Sequence, residues 1–234
     1  MKTKILFLSL LLLGTFTFNT VNAEEEKRDV SAFSEIALKV PGKLYLKQGD
    51  KQSIRIVAKE STLEELITEV KGRKLSIRFP NSNMFWRNFK PGKIEIYITV
   101  PEVDALSVSG SGDIEAKELK SRILGLAVSG SGNIVIDNLD SEKVKASISG
   151  SGNIILEDGG IADELTVAIS GSGNFNGEGF EAEQVSVSTS GSGNSKVYSN
   201  GSVKVRIAGS GSVYYSGNPD IDASVAGSGR VRKM

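Results

Sequence analysis

The stretch Leu106-Ser107-Val108-Ser109-Gly110-Ser111-Gly112-Asp113-Ile114 decides the fold, because it comes back. It returns as Leu126-Ala127-Val128-Ser129-Gly130-Ser131-Gly132-Asn133-Ile134, and again as Ala146-Ser147-Ile148-Ser149-Gly150-Ser151-Gly152-Asn153-Ile154. The Gly-Ser-Gly triplet occurs seven times, starting at Gly110, Gly130, Gly150, Gly171, Gly191, Gly209 and Gly227, at steps of 18 to 21 residues. Internal repetition on this scale marks an array of like structural units. Apolar residues sit four and two places before each triplet and two places after it, with Thr189 the exception ahead of the triplets and Ser195 the exception in the trailing column. Period-two alternation on both sides means short strands with one buried and one wet face. β-Branched residues dominate the inward positions, as a pleated core surface prefers. Each triplet is then a corner between strands, where glycine reaches backbone conformations that other residues resist.

Two all-β architectures satisfy this pattern. One is a right-handed β-helix-like solenoid of about seven Gly-Ser-Gly-cornered coils, in which like residues stack about 4.8 Å apart. The alternative is an antiparallel meander or sandwich, with each triplet closing a hairpin. Near-identical corners favour the solenoid, since a small residue in one coil leaves room only for a small residue above it. Stacking would also turn Asp113, Asn133, Asn153, Asn174 and Asn194 into a polar ladder, with amides bonding from coil to coil. A calcium site in that column is disfavoured, because calcium repeats use recurring aspartates and the column holds one.

Outward from the repeat, the sequence divides into three parts. Residues 1–23 read as a signal peptide: Lys2 and Lys4, an apolar run from Ile5 to Leu13, then Val21-Asn22-Ala23 as a small-residue cleavage site. Residues 24–104 read as an N-terminal β region or cap, and 105–234 as the solenoid, continuous with it. In the N-terminal part, Ile36/Leu38/Val40, Leu44/Leu46, Ile54/Ile56, Leu75/Ile77/Phe79 and Ile94/Ile96/Ile98/Val100 alternate as strands. Ser61-x-x-Glu64 reads as a capping box for a short helix over 62–67.

Composition narrows the function. There is no histidine and no cysteine. Their absence removes the commonest general base, the thiol nucleophile, disulfides, and a cysteine for lipid attachment at the cleavage site. Gly-Ser-Gly is not a nucleophile elbow. Glu115, Glu157 and Glu178 are read as solvated outward residues rather than a glycosidase pair. The expectation is therefore a protein that is not an enzyme, with no catalytic residues, cofactor or metal. Past residue 23, 26 basic residues face 28 acidic ones. That balance argues against nucleic acid, whose binding needs a basic face. No later segment is apolar enough to span a membrane.

One loop differs in composition. Asn81 to Phe89 holds the only tryptophan, and Phe85, Trp86, Arg87 and Phe89 are the candidate ligand-binding residues. They read either as a lid over an open end of the stack or as an exposed aromatic platform for a ligand. Tyr198, Tyr214 and Tyr215 offer a second aromatic surface, with Tyr215 in an inward column.

The run Ser-Gly-Ser-Gly-(Asn/Asp)-Ile at 109–114, 129–134 and 149–154, following Tyr97-Ile98-Thr99-Val100-Pro101, resembles the head GIN domain family of exported bacterial proteins, named for auto-transporter adhesins. The resemblance spans about residues 29–230 and carries no catalytic residues. It implies an all-β, β-helix-like fold and a periplasmic, outer-membrane-associated or extracellular role in adhesion. The auto-transporter name also implies a C-terminal membrane barrel; none is expected in this sequence, which closes on Arg232-Lys233-Met234. The reading is thus an exported, non-catalytic binding protein, with carbohydrate or another cell-surface protein as partner. A structural role in envelope assembly is the alternative.

Overall fold

The computed structural model describes residues 23–80, 89–157 and 159–234. Residues 1–22 of the expected signal peptide and three of the four loop candidates, Phe85, Trp86 and Arg87, lie outside the described residues.

The repeats form a parallel stack. β8 (Ala105–Gly110), β9 (Asp113–Gly130), β10 (Asn133–Gly150), β11 (Asn153–Leu156), β12 (Gly160–Gly171) and β13 (Asn174–Gly191) follow one another. After them come β14 (Ser195–Tyr198), β15 (Ser202–Gly209), β16 (Ser212–Ser216), β17 (Asp220–Gly227) and β18 (Arg230–Lys233). Every pairing among these strands is parallel. A meander would pair them antiparallel, so the solenoid stands. It makes about six turns rather than seven. Seven corners bound only six repeats, which accounts for the difference.

Strands before each corner build one face and strands after it build a second. On the first face, Leu38, Val108, Val128, Ile148, Ile169, Thr189, Ile207 and Val225 lie in register. On the second, Leu44, Ile114, Ile134, Ile154, Phe175, Ser195, Val213 and Val231 do the same. All but Val225 and Val231 are buried. Each aliphatic side chain so buried contributes about 1.5–3 kcal/mol of transfer free energy. Ser195 fits the second column because the ring beside it belongs to Phe175, so a small side chain follows a large one. Its hydroxyl, like that of Thr189, is buried without a hydrogen-bond partner.

The corners explain the triplet. In the third coil Gly150 has φ +121°, a region costly for side chains. A Cβ on Gly152 would lie 2.1 Å from the carbonyl oxygen of Gly132 in the coil before. Glycine is thus required twice, once for conformation and once for close approach. The Gly130 carbonyl accepts two hydrogen bonds from the next coil, from the N–H of Ser151 at 2.8 Å and of Gly152 at 2.9 Å. The expected amide ladder runs beside the corners. The Nδ2 atoms of Asn133, Asn153, Asn174 and Asn194 each donate to the Oδ1 of the preceding member, at 2.7, 2.8, 3.1 and 3.2 Å, back to Asp113.

Between corners the strands are only partly broken. β9, β10 and β13 run on for 18 residues each and bend without interruption. The chain leaves strand geometry at 157 and 159, at 199–201 and at 217–219.

In the N-terminal region, β2 (Glu35–Leu38) pairs in parallel with β6 (Lys74–Arg78) and β8. β3 (Lys43–Gln48) pairs in parallel with β7 (Glu95–Val100) and β9. Outside these lie antiparallel strands: β4 (Ser53–Ala58) on β7, β1 (Glu24–Lys27) on β4, and β5 (Ile67–Lys71) on β6. The short helix α1 spans Glu60–Glu65, not 62–67, and its N-cap is Lys59. Ser61 does not cap it. A tertiary contact helps fix the helix instead, as the Thr62 hydroxyl donates to the Pro91 carbonyl at 2.8 Å.

Candidate functional site

Alternation along β3 and β7 sends Leu44, Leu46, Ile96 and Ile98 inward and leaves Tyr45 and Tyr97 on the wet face. Because β3 and β7 pair with Tyr45 opposite Tyr97, the rings meet. They stack with centroids 5.1 Å apart and an interplanar angle of 19°. Arg55, opposite Tyr97 on β4, lays its guanidinium 3.9 Å from that ring's centroid. Lys43 reaches to 5.4 Å from the Tyr45 centroid and forms an ion pair with Glu115, which lies opposite Tyr45 on β9. The result is a row across four strands: Arg55, Tyr97, Tyr45, Glu115. Packing within the row takes up ring faces and leaves ring edges and phenol hydroxyls to a ligand. Such contacts hold the rings upright and contribute roughly 0.5–1.5 kcal/mol each.

The row forms the floor of a groove of about 1460 Å³. Two glutamines fix its rims. Gln48 extends the β3 ladder with its side chain, donating to the carbonyls of Pro101 and Lys120 at 3.0 Å each and accepting from the Lys120 N–H at 2.8 Å. Gln52 holds the segment after β1, donating to the Val30 and Ser31 carbonyls at 3.2 Å and accepting from the Phe33 N–H at 3.3 Å. Lys47, Lys51, Lys117, Asp137 and Glu157 also line the groove, and none of them forms an ion pair among the described residues. Arg55 is held from the other side by Glu25 at 3.0 Å. The hydrogen bond to Glu115 holds the Lys43 ammonium in its charged form, with its pKa raised above 10.5. The site is therefore a mixed-polarity surface in which Arg55, Lys43 and Glu115 are held by ion pairs, while Lys47, Lys51, Lys117, Asp137 and Glu157 are free of them among the described residues.

Of the four sequence candidates, Phe89 alone is described. It is half-buried, packs on the core and meets Phe79 edge-on at 5.2 Å between centroids. Tyr215 packs against the core from its inward column, while Tyr214 lies opposite Lys196 on the wet face. Sequence reasoning missed Tyr45 and Tyr97. The available signal was an aromatic residue at a wet position between two inward aliphatics, in Leu44-Tyr45-Leu46 and Ile96-Tyr97-Ile98.

Residues 32–219 match the family model described as "Putative auto-transporter adhesin, head GIN domain". The chain belongs to this family. The head GIN domain is similar to several solved structures. One is described as a putative adhesin from Bacteroides fragilis, at 24% identity and TM-score 0.81, covering 91% of this chain and 97% of that one. Another is described as a putative lipid binding protein from Parabacteroides distasonis, at 24% identity and TM-score 0.77, covering 92% and 98%. A third, from Parabacteroides merdae, is described as a putative adhesin, at 22% identity and TM-score 0.71, covering 92% and 97%. At these identities the likeness is one of fold. No curated protein matches the head GIN domain sequence.

Proposed function

We propose that the protein is an exported, non-catalytic binding protein of the cell envelope that holds a saccharide in the Tyr45–Tyr97 groove. The observation that carries this reading is the row Arg55, Tyr97, Tyr45, Glu115, set on a rigid sheet and flanked by lysines and carboxylates. A sugar chain presents hydroxyls that bond to charged and amide groups, and C–H faces that pack on ring edges and lysine stems. A lipid tail would need an apolar tunnel instead. The adhesin names of the family and of two solved neighbours support a binding role. The N-terminal segment 1–23 supports export.

The test is a glycan array followed by calorimetry on the hit. Tyr45→Ala and Tyr97→Ala should each weaken binding about tenfold, equivalent to about 1.4 kcal/mol. Trp86→Ala should leave binding unchanged. Binding that survives both tyrosine substitutions but is lost with Trp86→Ala would move the site to the 81–89 loop. No glycan binding at all would favour the assembly role.

A further inference from the structure

The two ends of the stack differ. At the N-terminal end of the second face, Glu24 and Glu26 of β1 lie opposite buried Ala58 and Ile56, so carboxylates occupy core-side positions on an edge strand. Inward-pointing charge on an edge strand blocks further pairing. Among the described residues the other end has no such guard. β17 and β18 each pair along one edge only, with β15 and β16. Among the described residues nothing pairs with their outer edges. Val225 is 40% exposed where its column neighbour Ile207 is 3% exposed, and Ile221 is 39% exposed. A paired coil would cover these side chains and satisfy two rows of backbone groups.

Charge selects what covers them. β17 carries Asp220 and Asp222, and β18 carries Arg230, Arg232 and Lys233. Asp222 is bonded to Arg206 at 2.9 and 3.2 Å, while Arg230 and Arg232 form no ion pair among the described residues. We infer that a second copy of this chain covers this end, related by a two-fold axis through the 227–229 corner. β17 runs toward that corner and β18 away from it, so the rotation lays β17 antiparallel on β18 of the second copy, and β18 on its β17. With Val225 opposite Val231 of the second copy, inward residues meet inward residues, and Asp222 stands diagonal to Arg232 of the second copy, within reach of a long side chain. The other antiparallel arrangement, β17 on β17 and β18 on β18, sets a strand with only acidic charges against its copy and a strand with only basic charges against its copy, which disfavours it. Head-to-tail stacking would bring Val231 against the glutamates of β1. The two-fold contact closes on itself, so it does not propagate.

The inference is independent of the groove. Its test is light scattering of the purified protein over a range of concentrations. The expected mass is two chains. Arg232→Glu should raise the dimer dissociation constant at least about tenfold while circular dichroism stays unchanged, and Val225→Lys should do the same. Because the sequence has no cysteine, Ser228→Cys places one thiol near the two-fold axis and should give a disulfide-linked dimer on mild oxidation. A single-chain mass at every concentration would overturn the inference. So would open-ended growth, or a dimer that ignores both charge variants and does not cross-link at position 228.

Discussion

The N-terminal end of this stack finishes in antiparallel strands and carries glutamates on its second face, whereas the C-terminal end finishes in parallel strands and is left apolar. β1 presents Glu24 and Glu26 where core residues would stand, and α1 adds a turn of helix beside β4. β17 presents Ile221, Ala223 and Val225, the ordinary members of core columns, with nothing over them among the described residues. A solenoid solves its folding problem once per coil, so what distinguishes one such protein from another gathers at its ends. Stopping the stack and joining it to a neighbour use the same row of backbone groups, and a few side chains decide between them.

Four variants probe that difference. The largest effect is expected at Gly152→Ala, whose Cβ would meet the Gly132 carbonyl at 2.1 Å with coils packed on both sides. A loss of about 3 kcal/mol is expected, read by chemical denaturation. Gly229→Ala makes the same clash, at 2.2 Å from the Gly211 carbonyl, but in a coil free to tilt outward. Its loss should be less than half as large, and equal losses would show the open coil to be as tightly held as the interior. Next, Glu24→Val with Glu26→Val removes the guard. Concentration-dependent growth in light scattering should follow, where the unaltered protein shows none beyond the dimer. The smallest effect is at Asn153→Ala, which leaves Asn133 Oδ1 without its donor and takes the acceptor from the N–H and Nδ2 of Asn174. About 1 kcal/mol should be lost, or about 2–4 °C in Tm.

The repeat was legible because each corner demands glycine at two fixed places, and a requirement that recurs every coil leaves a periodic mark. The amide column was legible for the same reason, since one coil's asparagine is the next one's partner. Phe175 above Ser195 could be seen only as an irregularity until stacking made them neighbours. The helix start was misjudged because Ser61 and Glu64 carry a local signal, whereas a contact to Pro91 lies in distant sequence. The groove was hidden for a related reason: β3 meets β7 across roughly fifty residues and an intervening antiparallel strand, and no local pattern gives that register. The exposed end was hidden too, because Val225 reads as one more core valine in sequence.

The doubled hydrogen bond at each corner also sets how such a chain can change in size. Gly110, Gly130 and Gly150 offer the same carbonyl to the same two N–H groups, so any coil is a fitting neighbour for any other. Insertions or deletions that keep whole coils preserve every corner, column and amide link, whereas a partial one turns a core row out to water. Length in this architecture is therefore quantised, and new surface is gained a full turn at a time.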